Sequence, residues 1–425
     1  MKRVLFENLM PADIVLTARR TKTGKAIRVT TWGQVSHAMI CVQHGSVIDS
    51  TPTGVHSRSL QREMFDEDEK VFVFRLRERP AEHVIARIVD EARNAIGARY
   101  SKREAARALF GRHKPRNRRE FCSRLVARAY RSGGILLVPD GDYCTPDALR
   151  RSPLLIELEH STVPVLPEEL AALVERPSAV QPMEDATNAV LDAVRALDPS
   201  VETFTDVDQI VEDHPEWDEH IAEAFRDAGY LTLWQLEEER HPYRTDIAAM
   251  NEFTAPNARF ALRRYCVDTI KEAFSGGVRF AVMLRYHRDA QERAPRTTRV
   301  QLIQLYTTLV ERDYKRREVA RAWLLQHFPG DVALYMERIE PHSELWFSIV
   351  DRVEPALGRM ARMLIARRGS IDICSLCGDS PARDYRPLNG SEAMPGVPAL
   401  RLCGDCRDIR RGFGEQFEII ASDLL

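Results

Sequence analysis

Two sets of residues in this 425-residue chain have the type and spacing for chemistry. The first is a histidine and a cysteine, far apart in sequence and each at the edge of an apolar run. His37 opens Ser36-His37-Ala38-Met39-Ile40, which reads as a strand. Cys122 sits near the start of Phe121-Cys122-Ser123-Arg124-Leu125-Val126, which reads as a helix. A thiol attacks as its thiolate, and a base or cation beside it and a helix N-terminus both favour that form. The second set is two Cys-x-x-Cys pairs, Cys374/Cys377 and Cys403/Cys406, separated by 25 residues. Each pair holds a metal from one tight turn, and two pairs complete a tetrahedral site. The expected cofactor is one structural Zn2+ per chain, with no coordination position left open for catalysis.

The elements that must position these groups follow from periodicity. Residues 1 to about 160 read as a mixed α/β unit. Strands are expected at 13–17, 37–42, 47–50 and 71–76, with a hairpin turn at Gln43-His44-Gly45-Ser46. Val84, Ile85, Ile88, Val89, Ala92 and Ile96 recur at helical spacing, and Gly97 closes that helix. A second helix runs from Cys122 to Tyr130 and ends at Gly133-Gly134. Thr145 caps a third, with Pro146 in its first turn. A proline-containing stretch at 164–182 marks a boundary. Residues 184–240 hold 17 Asp/Glu against three Arg and no Lys, yet keep apolar helical periodicity. Helical pattern dominates 257–368, with Trp217, Trp234, Trp323 and Trp346 read as core anchors. Cysteines and Gly/Pro turns take over from about 370. The expected domains are 1–163, a helical region at 184–368 and a four-cysteine finger at 369–425, of zinc-ribbon or treble-clef form.

Composition narrows the function classes. A net charge of −2 gives no global pull toward nucleic acid or an anionic membrane. No run of about 18 apolar residues is present, so no membrane span is expected. The first residues lack the apolar core of a signal peptide. Eight cysteines in so long a chain are not a disulfide framework. A cytoplasmic, reducing location is expected.

The first 160 residues resemble the permuted NlpC/P60 cysteine hydrolases of the YiiX/YebB-like branch. The resemblance lies in six segments, in order: Pro11-Ala-Asp-Ile-Val-Leu16, Ser36-His-Ala-Met-Ile40, Val47-Ile-Asp-Ser50 with Gly54-Val55, Gly97-Ala-Arg-Tyr100, Phe121-Cys-Ser-Arg-Leu-Val126, and Thr145-Pro-Asp-Ala-Leu149. Papain-like enzymes usually place cysteine before histidine. Here histidine comes first, as a circular permutation requires. The resemblance implies an α+β papain-like fold, a nucleophile at Cys122, a general base at His37 and an orienting polar group at Asp49. It also places Tyr100 near the site. Ser36 and Gln34 are candidate substrate or oxyanion contacts through their closeness to His37 in sequence.

Asp49 follows His37 by twelve residues, on the adjacent strand of the hairpin. A two-residue and a three-residue turn put it on different faces, so spacing alone leaves the contact open. His44 and His56 are the competing histidines, while Cys41 and Cys144 are expected to pack. Residues 101–131 hold eleven Lys/Arg against two acids, with Arg116, Arg118 and Arg119 just before Cys122. They read as a solvated basic face, or as a device that steers an anionic substrate. The expected function is an intracellular cysteine hydrolase cleaving an amide of a protein or peptide through a Cys122 thioester. The alternatives are a lipid acyltransferase or thioesterase, as in the related lecithin retinol acyltransferase-like enzymes, and a non-enzymatic adaptor. In the adaptor, the helical region or the finger binds protein. Arg401, Arg407, Arg410 and Arg411 permit nucleic acid as a less favoured partner.

Overall fold

The computed structural model describes residues 1–18, 34–43, 45–100, 120–168, 170–171, 178, 180–254, 259–271, 276–335, 339–388 and 394–420. His44, Arg116, Arg118 and Arg119 lie outside the described residues. The chain divides into two units, Met1–Tyr230 and Leu231–Leu425. Helices at 181–227, expected to belong with the middle region, fall in the first unit.

The first unit is built on a six-stranded antiparallel sheet. Its strands are β2 (Ile14–Thr17), β3 (His37–Gln43), β4 (Ser46–Thr51), β5 (Gly54–Ser59), β7 (Val71–Leu76) and β8 (Leu155–Glu157), in the order β5-β4-β3-β2-β7-β8. A smaller sheet has the order β6-β1-β9, from β1 (Lys2–Val4), β6 (Met64–Phe65) and β9 (Thr162–Pro164). Side chains alternate across a strand, so each strand of the large sheet feeds two cores. Ile14, Leu16, Ile40, Ile48 and Phe74 pack with Ile88, Val89, Leu125 and Val126 of helices α1 (Glu82–Asn94) and α2 (Cys122–Ser132). Val15, Met39, Cys41, Val47 and Val73 pack on the other side with Val4, Leu60 and Phe65. Burial on both faces explains why these strands read as continuous apolar runs. A short α3 (Pro146–Arg150) follows, its first turn capped by Thr145 Oγ1 accepting from Ala148 N–H at 3.1 Å.

Among the described residues three more helices follow in this unit: α4 (Gln181–Leu197), α5 (Phe204–Asp213) and α6 (Asp218–Asp227). α4 and the segment after it grip the turn after α1. Gly97 has φ +91, and a Cβ there would meet Leu191 of α4 at 2.2 Å. Arg99 donates to the Glu202 carboxylate at 2.7 Å, and Arg195 donates to the Gly97 carbonyl at 2.7 Å.

One backbone feature offers a stability test. Ala12 is buried with φ +72, a left-handed conformation that costs an L-residue about 1–2 kcal/mol. Its N–H donates to the Cys41 carbonyl at 2.8 Å and its carbonyl accepts from the Tyr130 hydroxyl, so the conformation is locked. Ala12→Gly should relieve that strain at an entropic cost of about 0.5–1 kcal/mol. The expected outcome is a small rise in melting temperature, with no change in thiol reactivity.

The second unit is mainly helical. Its helices are α7 (Leu233–Arg240), α8 (Ile247–Phe253), α9 (Arg259–Lys271), α10 (Gly277–Arg293), α11 (Thr297–His327), α12 (Pro329–Tyr335), α13 (Glu344–Val353), α14 (Pro355–Arg368) and α15 (Gly404–Gly412). Strands β10 (Arg383–Leu388), β11 (Leu400–Leu402) and β12 (Gln416–Ile419) form a sheet of order β11-β10-β12. Trp323 is fully buried among Met250, Leu262, Cys266 and Leu324. Trp346 is fully buried too, and its indole N–H donates to the Ala399 carbonyl at 2.7 Å. Trp217 and Trp234 differ from the expected core anchors. Both are half-buried: Trp217 stacks on His214, and Arg312 lies over Trp234. Among the described residues no helix is long and apolar enough to cross a membrane.

Candidate active site and metal centre

His37 begins β3, and its partner on β4 is decided by one extra residue. Gln43 pairs with Ser46, but Cys41 pairs with Val47, so the register slips by one between them. Continued without the slip, the pairing would set Asp49 opposite Ile40, on the face away from His37. With it, Asp49 stands opposite Met39, on the face His37 shares. His37 Nε2 and Asp49 Oδ2 are 2.8 Å apart. Asp49 is buried, whereas the His37 side chain keeps 21% of its surface exposed. The second oxygen of Asp49 accepts from Arg58 Nε at 2.9 Å.

Cys122 is the first residue of α2. Phe121 before it is extended, and the first intrahelical bond runs from Leu125 N–H to the Phe121 carbonyl. The Cys122 N–H therefore precedes the helix's own bonding, where helix ends present unmatched donors. Neighbouring contacts hold this turn in place. Ser123 Oγ donates to the Cys144 carbonyl at 2.8 Å, and Arg124 Nε donates to the Asp142 carbonyl at 2.8 Å. The fully buried Arg124 guanidinium also lies against the rings of Phe121 and Tyr143.

Cys122 acts on the same His37 ring. Asp49 occupies Nε2, so Nδ1 is the ring nitrogen left for the sulfur. Burial works against a charge on His37, but the hydrogen bonds and charges of Asp49 and Cys122 outweigh it and raise the imidazole to about 10. Burial works the other way on Asp49, and His37 and Arg58 together hold it below the usual carboxylate range. Burial pushes Cys41, Cys144 and Cys266 up to about 12.

The remaining candidates divide. Tyr100 is half-buried, bridges Glu120 through its backbone, and has its phenol pushed up by burial and by the charge of Cys122. Gln34 turns elsewhere: its N–H donates to Asp147 Oδ1 at 3.0 Å and its Oε1 accepts from Lys70 at 3.3 Å. Ser36 is buried, with its N–H on the Thr17 carbonyl at 2.8 Å. His56 sits opposite Asp49, yet its Nε2 donates to the Thr53 carbonyl and its Nδ1 lies 3.6 Å from Glu184.

Residues 8–148 match the family described as permuted papain-like amidase enzymes, YaeF/YiiX, C92. A comparison with curated proteins gives no match. The amidase-type segment thus spans His37, Asp49, Tyr100 and Cys122, and ends before α4–α6 and the whole second unit.

Arg58, in the same segment, escaped the reading by residue type. The pattern Gly54-Val-His-Ser-Arg-Ser59 alternates, and it places Arg58 two residues beyond His56 on Asp49's face. Only the β4–β5 register makes that neighbourhood visible.

The finger cysteines converge. The sulfurs of Cys374, Cys377, Cys403 and Cys406 all lie within 4.8 Å of one another, and those of Cys377 and Cys403 are 3.5 Å apart. A tetrahedral ion with bonds of about 2.3 Å to sulfur needs sulfurs about 3.8 Å apart, so the cage fits a metal ion of that size. The first pair sits on a turn closed by Gly378 N–H donating to the Cys374 carbonyl at 2.9 Å, with Gly378 at φ +78. In the second pair Cys403 precedes α15 and Cys406 lies in its first turn. Gly404 is simply the first helical residue. Burial and the neighbouring sulfurs push the Cys377 thiol up to about 12, so a cation is what lets this array ionise together.

Proposed function

We propose that the first unit is an amide-cleaving cysteine hydrolase working through a Cys122 thioester. The observation that carries this reading is the His37 ring on the buried Asp49 carboxylate, with Cys122 at a helix start acting on the same ring. The thiolate of Cys122 attacks the amide carbonyl, forming a C–S bond and moving a pair of electrons onto oxygen. The Cys122 N–H at the start of α2 is placed to receive that oxyanion. His37 gives its Nδ1 proton to the leaving nitrogen as the C–N bond breaks, which frees the amine and leaves a thioester. The neutral ring then deprotonates water, which attacks the thioester. The acid departs, the thiolate returns, and His37 regains its proton. Asp49 holds the ring by Nε2 so that Nδ1 meets the sulfur. Tyr100 is a candidate substrate contact.

A protein or peptide amide in a reducing, cytoplasmic compartment fits the free thiols best. The ion at the four cysteines is read as zinc in a treble-clef finger, because one pair lies on a turn and the other at a helix start. All four ligands are protein, so the ion would serve structure. The finger's cations favour the same role over nucleic-acid binding. Arg401 pairs with Asp384 and Asp372, Arg410 with Glu415, and Arg407 with Asp408.

The test is brief, low-dose iodoacetamide treatment at mildly acidic pH, read by intact mass. One rapid adduct is expected in the wild type and none in Cys122→Ser or His37→Ala. Labelling of Cys122 no faster than of Cys41 or Cys144 would sink the reading.

A further inference from the structure

Asp49 carries two cations rather than one. Its Oδ2 meets His37 and its Oδ1 accepts from Arg58 Nε at 2.9 Å. Arg58 reaches it from β5, where it stands opposite Val47 while His56 stands opposite Asp49. The guanidinium is braced from behind by Glu63 Oε1 at 3.5 Å. Among the described residues, the charged groups around the carboxylate are His37 from β3 and Arg58 from β5, with Glu63 beyond Arg58. His56 is turned toward Thr53 and Glu184, and Cys122 is reached only through the imidazole ring.

A buried carboxylate beside an imidazolium has an escape. It can take the proton, leaving both groups neutral, and a low-dielectric surrounding favours that outcome. In that state the ring has lost the proton it must give to the leaving nitrogen. A second cation on the other oxygen opposes the transfer, because protonating Asp49 would cost Arg58 the nearer of its two anions. The second contact also fixes the plane of the carboxylate, so Oδ2 stays aimed at Nε2.

We propose that Arg58 is a positioning residue of the amide-cleaving centre, one that fixes the Asp49 carboxylate and keeps the proton on His37. This rests on the hydrolase reading, in which His37 is the proton donor. Arg58 acts through Asp49, which it meets on the oxygen away from the ring.

The test needs no substrate. In proton NMR of the full chain, a histidine N–H shared with a carboxylate appears downfield of the amide region. The His37 Nε2 proton is followed while the pH is lowered from neutral. Its resonance is expected in the wild type and absent in Asp49→Asn. Acid should abolish it as Asp49 protonates. Arg58→Gln keeps a donor but removes the charge, so the loss should come about one pH unit or more higher, a tenfold or greater difference in acid. Arg58→Lys should recover at least half of that shift. If circular dichroism shows the glutamine variant unfolded, Arg58→Met supplies the uncharged arm. A folded uncharged variant with the wild-type midpoint overturns the proposal, and so does a lysine variant displaced as far as the uncharged one. A wild-type chain without any resonance that Asp49→Asn removes overturns the His37–Asp49 pairing itself, and with it the hydrolase reading, whatever Arg58 does.

Discussion

Asp49→Asn is expected to pull the alkaline limb of turnover down from near pH 10 by about two pH units or more. The sign follows from what raises His37. Burial alone would lower its affinity for a proton, and the Asp49 carboxylate and the Cys122 sulfur reverse that. Asparagine keeps an oxygen for Nε2 to meet but carries no charge. The imidazolium then loses much of its support while the burial stays. Amide cleavage needs the protonated ring to expel the amine, so activity falls wherever His37 is neutral. At a pH of about 8 the wild type should lie on its plateau and the variant on its limb, so kcat should fall about twofold there and by a factor rising toward about 100 above pH 10, with KM little changed. Cys122→Ser should lose more, about 1,000-fold or greater at every pH, because a hydroxyl in the same place is not ionised by a neighbouring imidazole. A pH–rate profile of the asparagine variant that superimposes on the wild type would remove Asp49 from the reaction.

These outcomes separate what could be read from residue type and what needed tertiary register. Cys122 and the start of α2 were legible because Phe121 is followed by an amphipathic run ending in two glycines. The run from His37 was legible as a strand because its residues are apolar on both faces. Asp49 was legible only as a candidate. Its face turns on a one-residue slip between Cys41 and Gln43, and no residue type in that stretch announces a bulge. Arg58 depended on that slip and on the β4–β5 pairing as well, so nothing local pointed to it. The four finger cysteines were legible from spacing, since two pairs at tight-turn distance have few other uses. The finger arginines were not. Arg401 reads as a surface cation in sequence, yet it is buried between Asp384 and Asp372, which come from segments 17 and 29 residues away. The helices at 181–227 joined the first unit through Leu191 against Gly97 and Glu202 on Arg99. A boundary drawn from prolines alone does not carry those contacts.

Metal removal is expected to loosen much more than the finger loop. The turn bearing Cys374 and Cys377 is tied into the helical unit by specific bonds. His342 meets the Ile371 carbonyl at 2.7 Å through Nδ1 and the Ser375 hydroxyl at 2.9 Å through Nε2. Ser375 N–H donates to the Arg401 carbonyl at 2.7 Å, and Ser375 Oγ accepts from Arg401 N–H at 3.2 Å. Trp346 of α13 closes the same region by donating to the Ala399 carbonyl. A structural zinc ion contributes about 10 kcal/mol or more to folding in isolated fingers, comparable to the whole stability of an ordinary domain. Without a cation the half-buried Cys377 thiol stays pushed up to about 12, and the bonds that depend on the turn lose their anchor. Cys403→Ser or a strong chelator should therefore release about one metal ion per chain. The melting transition of the second unit should fall by ten degrees or more, to an order of magnitude, with a red shift in tryptophan emission as Trp346 meets water. Iodoacetamide labelling of Cys122 should survive in the same samples, because its partners His37, Asp49 and Arg58 all belong to the first unit. A metal-free chain that melts at the wild-type temperature, with Trp346 still buried, would instead make the four-cysteine centre dispensable to the fold.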